Sequence, residues 1–238
     1  MKDNFTRYSR QIFIEEIGVE GQRKIREAKV LVVGAGGLGS PVIQYLAAAG
    51  VGTLAVADFD RLAIHNLNRQ VIHQEQNVGK LKVESASEFV SALNSDVNFI
   101  PITEKIMREN VQPIIAPYDI VIDGSDNFTT RYLVNDACVA LGKTLVYGSI
   151  LSFEGQVAVF NHHGGKNLRD LFPEPPSQEN LPDCDSLGVL GPLPGIIGSA
   201  MAMITLQIIC NLDVPNNQLL LIDSRNWEFS KIRLASWA

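Results

Sequence analysis

The sequence predicts an α/β fold of the Rossmann kind: a mostly parallel sheet with helices on both faces, extended by antiparallel strands toward the C-terminus. Three observations predict it. The apolar run Val30 to Val33 leads directly into Gly34-Ala-Gly-Gly-Leu-Gly39. Strand-like and helix-like patterns then alternate as far as Tyr147. The composition, 46% hydrophobic and 19% charged, is that of a globular chain with a real core. A length of 238 residues fits one large domain. It divides into an N-terminal helical segment (1–28), a nucleotide-binding core (29–150) and a C-terminal stretch of sheet, loop and helix (151–238).

The elements follow in order. Val30 to Val33 reads as a strand buried on both faces. A helix follows from Pro41, suited to a first helical position, through Ala49 to a stop at Gly50. Thr53 to Ala57 is the second strand and ends in Asp58-Phe-Asp60. Lys80 to Leu93 is predicted helical, Val97 to Ile102 and Tyr118 to Asp123 are strands, Asn127 to Leu141 is a helix, and Thr144 to Tyr147 is a strand. Gln156 to Asn161, Leu219 to Ile222 and Phe229 to Leu234 are expected to extend the sheet antiparallel. Asn161 to Leu187 is Pro-rich, polar and without periodicity, so it is read as a functional loop. The uncharged stretch from Ser186 to Leu212 is broken by glycine and proline in its first half. That leaves Gly195 to Cys210 as a buried core helix, too short to span a membrane.

Lys and Arg number 20 against 26 Asp and Glu, a net charge of −6. With a pI near 5.2 there is no chain-wide attraction to nucleic acid or anionic membrane, and any phosphate site must be compact. Cys138, Cys184 and Cys210 form no CxxC pair or disulfide framework, and Met1 to Gln11 carries no apolar signal region. A cytoplasmic location is expected.

Gly34, Gly36, Gly37 and Gly39 permit a tight turn whose backbone N–H groups face a phosphate at a helix N-terminus. Asp58 lies about twenty residues on, where a carboxylate accepts hydrogen bonds from ribose hydroxyls. The turn alone leaves NAD, FAD, SAM and ATP open. Past Asp60, however, come Asn66, Arg69, Gln70, Lys80 and Lys82, a cluster that a triphosphate requires and hydride transfer does not. Taken singly, Lys80 and Lys82 also read as solvated helix surface. Asp126 follows a strand end, where open sheets bind ligands, and fits either a Mg²⁺ ligand or the N-cap of the next helix.

These residues resemble the ThiF/MoeB/HesA family, bacterial relatives of ubiquitin-activating enzymes. The matching segments are Arg7-Tyr-Ser-Arg-Gln11, the glycine turn, Ala48-Ala-Gly-Val-Gly52, Asp58-Phe-Asp60, Asn66-Leu-Asn-Arg-Gln70, Lys82-Val-Glu84, Asp126-Asn127 and Gly188-Val-Leu-Gly-Pro192. The resemblance implies an adenylyltransferase acting on the C-terminal glycine of a small ubiquitin-like sulfur carrier, ThiS-like or MoaD-like, in thiamin or molybdenum cofactor synthesis. It further implies ATP and Mg²⁺ as cofactors and a homodimer. Residue by residue, it puts Asp58 on the ribose, Asn66, Arg69 and Lys82 at the phosphates and Asp126 on Mg²⁺. Asp60, Gln70 and Asn127 join the ATP site, and Arg10 reaches in from the other subunit.

Cys184 stands at the family's cysteine position, but Asp183 and Asp185 flank it, and their charge disfavours the thiolate that a covalent role needs. Cys138 and Cys210 read as core residues. Many relatives hold a zinc ion on two CxxC pairs. Here Asn167 and Asp170 replace the first pair, so no thiolate zinc site is expected. His162 and His163 are read as solvent-facing. Two other classes compete: a NAD-dependent Rossmann oxidoreductase, which leaves Arg69, Lys82 and Asp126 idle, and a non-catalytic scaffold. A relative that activates a tRNA carboxylate gains no support from the acidic pI.

Overall fold

Strands β1 (Lys29–Val33), β2 (Thr53–Ala57), β3 (Asn98–Ile102), β4 (Ile120–Asp123) and β5 (Thr144–Leu151) run parallel, because a helix returns the chain between each consecutive pair. Those helices are α3 (Gly39–Ala49), α4 (Lys82–Leu93), the short α5 (Val111–Ile115) and α6 (Phe128–Leu141). The computed structural model describes residues 5–176 and 188–234. Strands β6 (Glu154–Phe160), β7 (Gln218–Asp223) and β8 (Glu228–Arg233) continue the sheet antiparallel, in the order β3-β2-β1-β4-β5-β6-β7-β8. Helices α1 (Phe5–Ile12) and α2 (Gly18–Glu27) precede the sheet, α7 (Leu168–Leu171) follows β6, and α8 (Pro192–Ile209) precedes β7.

Alternating strand residues divide the core into two layers. Val30, Val32, Leu54 and Val56 face α2, α3, α4 and α8, whereas Leu31, Val33, Ala55 and Val121 face α5 and α6. Strand order reverses between β1 and β4, so the helices after these two strands leave on opposite faces and a crevice opens at their carboxyl ends.

Several boundaries differ from those the sequence predicts. Helix α4 begins at Lys82 rather than Lys80, because Leu81 is extended and bridges to Arg61, while Glu84 accepts a hydrogen bond from the Leu81 N–H. The β5–β6 hairpin is longer than predicted, turning at Ser152 with positive φ. The segment expected to lack structure contains α7, whose first N–H groups are capped by Asn167. Helix α8 has 18 residues, long and apolar enough by composition to cross a membrane, because Pro192 and Pro194 occupy a first turn that needs no N–H donors. Half of it is buried: Met201 and Ile197 pack where any side chain on Gly148 or Gly155 would stand.

Candidate functional site

The crevice holds a cavity of about 590 Å³ lined by Gly34, Gly36, Gly37, Asp58, Asp60, Arg69, Gln70, Lys82, Asp126 and Asn127. After β1 the chain turns at Gly34, with φ +94°, and a Cβ there would lie 2.9 Å from the Gly124 oxygen. Gly39 contributes differently from expectation. Its hydrogen faces the Gly34 oxygen, 1.9 Å from where a Cβ would sit, so it closes the turn from inside instead of lining the cavity. Asp58 Oδ2 accepts from the Ala35 N–H at 2.8 Å and its Oδ1 from the Asp60 N–H at 2.8 Å. Burial pushes the Asp58 carboxyl above its usual range, with the Lys82 ammonium opposing.

Lys82, only 7% exposed, opens α4 and places Nζ 2.9 Å from Asp60 Oδ2, while its N–H donates to the Asp60 carbonyl at 2.9 Å. Lys80 by contrast pairs with Glu88 at 2.6 Å in an exposed position, so the two lysines separate into surface and site. Asn66 is buried and does not line the cavity. Its Oδ1 accepts from the Ala63 N–H at 2.9 Å, and its carbonyl accepts from the N–H groups of Arg69 and Gln70, which it thereby presents to the cavity. Arg69 donates through Nη1 to the His65 carbonyl and to Asn68 Oδ1, both at 3.1 Å. Gln70 is buried, and its Oε1 has no partner among the described residues.

Asn127, not Asp126, caps α6: its Oδ1 accepts from the Thr130 N–H at 2.9 Å. The Asp126 carboxylate therefore stays at the cavity wall, exposed, with a weak contact from Asn127 Nδ2 at 3.4 Å as its one hydrogen bond among the described residues. One carboxylate at the wall of this cavity fits Mg²⁺, an ion that binds through one or two carboxylates together with substrate phosphates. Among the described residues no group of three or more His, Cys, Asp or Glu is placed to hold a metal by itself.

Sequence reasoning missed part of the wall. Arg131 is buried, donating to the Gly148 carbonyl at 2.9 Å and to the Ser125 carbonyl at 2.6 Å, with its guanidinium over the Tyr147 ring. Asp123, fully buried, accepts from the Ser125 N–H and hydroxyl, and burial pushes its carboxyl up. The available signal was periodicity, since Arg131 and Asn135 stand one turn apart on the same buried face of α6 as Val134 and Cys138.

Other candidates lie elsewhere. Arg10 is exposed on α1, and α1 docks at the far ends of α3 and α4: Arg7 donates to the Leu93 carbonyl and Gln11 to the Ala49 carbonyl, both at 3.0 Å. Cys184 lies outside the described residues. Cys138 and Cys210 are buried, and burial pushes the Cys138 thiol up to about 12. His162 corrects the solvent-facing expectation: it is half-buried, its Nδ1 is 3.1 Å from Thr144 Oγ1, and burial holds its pKa down. Asn167 and Asp170 cap α7 reciprocally, with Asp170 Oδ2 accepting from the Asn167 N–H at 2.8 Å.

A family model described as the ThiF family matches residues 8–237. The chain belongs to the ThiF family. Among relatives in this group is an "Adenylyltransferase and sulfurtransferase MOCS3" of Anopheles gambiae, 46% identical over 233 residues, which cover 98% of this chain and 53% of that protein. Another is a "Sulfur carrier protein adenylyltransferase" of Thermus thermophilus, 46% identical over 237 residues and covering 97% of this chain and 88% of that one. The chain thus spans about half the length of the first of these relatives. The ThiF-family fold also matches MccB of E. coli, solved with ATP, at a TM-score of 0.86 over 98% of this chain and 73% of that one. At 20% identity that likeness concerns the fold alone.

Proposed function

We propose that this chain adenylates the C-terminal glycine of a small ubiquitin-like sulfur carrier protein, ThiS-like or MoaD-like, using ATP and Mg²⁺, as a homodimer. The observation that carries the reading is the buried Lys82, held beside Asp58, Arg69 and the glycine turn in one cavity. A dehydrogenase would use Gly34 and Asp58 but would leave Lys82, Arg69 and Asp126 without a task. A scaffold would have no reason to keep a lysine buried in an open crevice. The names of the 46%-identical relatives support the same activity.

The chemistry joins two anions. The carrier's terminal carboxylate attacks the α-phosphorus of ATP, the bond to the bridging oxygen breaks, and an acyl adenylate and pyrophosphate result. The carboxylate is already ionised, so no general base is needed. What the protein must supply is positive charge and position. Asp58 retains lone pairs for the ribose hydroxyls while its backbone bonds fix the turn. The backbone of Gly36 and Gly37 receives phosphate oxygens at the α3 N-terminus, where the helix dipole favours negative charge. Lys82 exchanges or shares its contact with Asp60 as a phosphate enters, and Arg69 has Nε and Nη2 available for two further hydrogen bonds. Mg²⁺ held by Asp126 would add charge neutralisation at the same phosphates.

The carrier itself has a continuous surface to meet. From Gln156 in the cavity wall the sheet passes to Leu221 on β7 and Ser230 on β8, ending in an edge strand exposed along its whole length. A body resting on this ribbon would direct an extended tail toward the cavity. The test is ATP–pyrophosphate exchange with a purified carrier ending in Gly-Gly. Carrier-dependent exchange is expected, and exchange that is absent with both carrier types, or binding of NAD in place of ATP, would overturn the reading.

A further inference from the structure

We propose that His73 is a positioning residue, which as a neutral imidazole couples the glycine turn to the helix that carries Lys82. The inference rests on the reading of this cavity as an ATP site. His73 is 6% exposed and does not line the cavity itself. Its Nε2 is 2.9 Å from the Ala35 carbonyl, inside the glycine turn, and its Nδ1 is 2.9 Å from Ser85 Oγ on α4. Ser85 lies one turn beyond Lys82 on the same helix.

The partners fix the tautomer. A carbonyl only accepts, so Nε2 carries the proton and Nδ1 offers its lone pair to the Ser85 hydroxyl. Asn77 Nδ2 donates to that same Ser85 Oγ at 3.1 Å, which leaves the Ser85 proton free to point at His73. The chain of bonds is therefore polarised one way: Asn77 to Ser85 to His73 to Ala35. Ala35 is held on both sides, its carbonyl by His73 and its N–H by Asp58. With the two successive peptide groups at Ala35 each held, the N–H groups that follow keep one orientation toward the cavity, and the distance from turn to Lys82 is set through one ring.

The charged groups around this assembly are Lys82 and Glu88 on α4, Lys80 before it, and Asp58 across Ala35. Burial, joined by the Lys82 ammonium, outweighs the Ala35 carbonyl and holds the imidazole below its usual range. Protonation would place a second donor on Nδ1 facing the Ser85 hydroxyl, and the hydroxyl would have to turn away. The coupling should thus hold at neutral pH and fail as pH falls through the lowered His73 value.

Calorimetric titration of the full chain with Mg·ATP tests this without any carrier. A Gln side chain reaches the place of Nε2 and keeps the donor to Ala35; an Asn side chain reaches only the place of Nδ1. His73→Gln should bind ATP within about threefold of wild type, and His73→Asn should bind about tenfold more weakly, the loss of one buried hydrogen bond. As pH falls from neutral through the lowered His73 value, the wild-type affinity should fall more steeply than that of His73→Gln, which lacks the imidazole. ATP's own titration is common to both and cancels. Should His73→Asn fail to fold by circular dichroism, Ser85→Ala cuts the same link from the helix side and should weaken ATP binding severalfold. Wild-type affinity in both His73→Asn and Ser85→Ala, or an acid limb no steeper in wild type than in His73→Gln, would overturn the coupling alone. A wild-type chain that binds no ATP at neutral pH would overturn the ATP site together with it.

Discussion

The Lys82 side chain is 9% exposed and its ion-pair partner at 2.9 Å, Asp60, is 49% exposed, while its charge also acts on the Asp58 carboxylate. The partner's exposure keeps the ion pair's contribution to stability below about 1 kcal/mol. Lys82→Ala should therefore leave the thermal midpoint nearly unchanged. Its effect belongs in the reaction, where loss of one preorganised charge costs on the order of 10²- to 10³-fold in rate. Pyrophosphate exchange with ATP affinity measured in parallel separates the two, and near-normal exchange would remove Lys82 from the mechanism. His73 gives a stability prediction of its own. Its pKa is lowered in the folded chain, so the unfolded chain binds the proton more readily, and stability should decline as pH falls from the ordinary imidazole value through the lowered one. Urea melts at neutral and mildly acid pH should show this slope in wild type and a smaller one in His73→Gln.

Among the elements, the start of α6 separates two roles that adjacent residues share in the sequence. Asn127 caps the helix and Asp126 does not. Asn127→Ala should cost about 1 kcal/mol in chemical denaturation, the usual value of a lost cap. Asp126→Asn should cost little stability yet reduce Mg²⁺-dependent exchange; a large stability loss there would show that the carboxylate does structural work. The glycine turn divides in the same way. An alanine at Gly39 would overlap the Gly34 oxygen, whereas one at Gly36 would meet only Gln70 Nε2 at 3.7 Å. Gly39→Ala should destabilise the fold by several kcal/mol, in the range of severe backbone conflict, and Gly36→Ala should spare it. The parallel strands and their helices could be read from the sequence because each buries a continuous apolar run. Asp58 was readable because it follows a strand end, and Arg69, Gln70 and Lys82 because they cluster as donors and cations just past it. Asn66 was readable as a type that suits a phosphate, and the structure places its side chain in the turn at Ala63 rather than on the cavity wall. His73 was missed because its partners, Ala35 and Ser85, lie far off in sequence, where no local spacing points to them, while Arg131 showed only as a polar residue on the apolar face of α6 and Asp123 only as the end of a strand. Helix α7 was missed because one turn carries too little periodicity to register.

At the scale of the molecule, the position of α1 decides how Arg10 can act. The glycine turn and Lys82 stand at the N-terminal ends of α3 and α4, while α1 bonds to Ala49 and Leu93 at their C-terminal ends. An 11-residue helix is about 16 Å long, more than an arginine side chain extends, so Arg10 cannot reach the phosphates of its own chain along that path. If Arg10 serves the site, as the family resemblance implies, a second chain must deliver it. A two-fold dimer would give each site one borrowed arginine. Arg10→Ala and Lys82→Ala homodimers should then each be inactive in pyrophosphate exchange. Unfolded and refolded together, they should regain activity, because one site of every mixed dimer combines Arg10 from one chain with Lys82 from the other. Random pairing makes half the dimers mixed and half their sites intact, so recovery should approach roughly a quarter of wild type. Analytical ultracentrifugation establishes that mixed dimers formed. If they have formed and no activity returns, every site still contains a lesion, and Arg10 acts within its own chain by a route that would require α1 to leave its seat on Ala49 and Leu93.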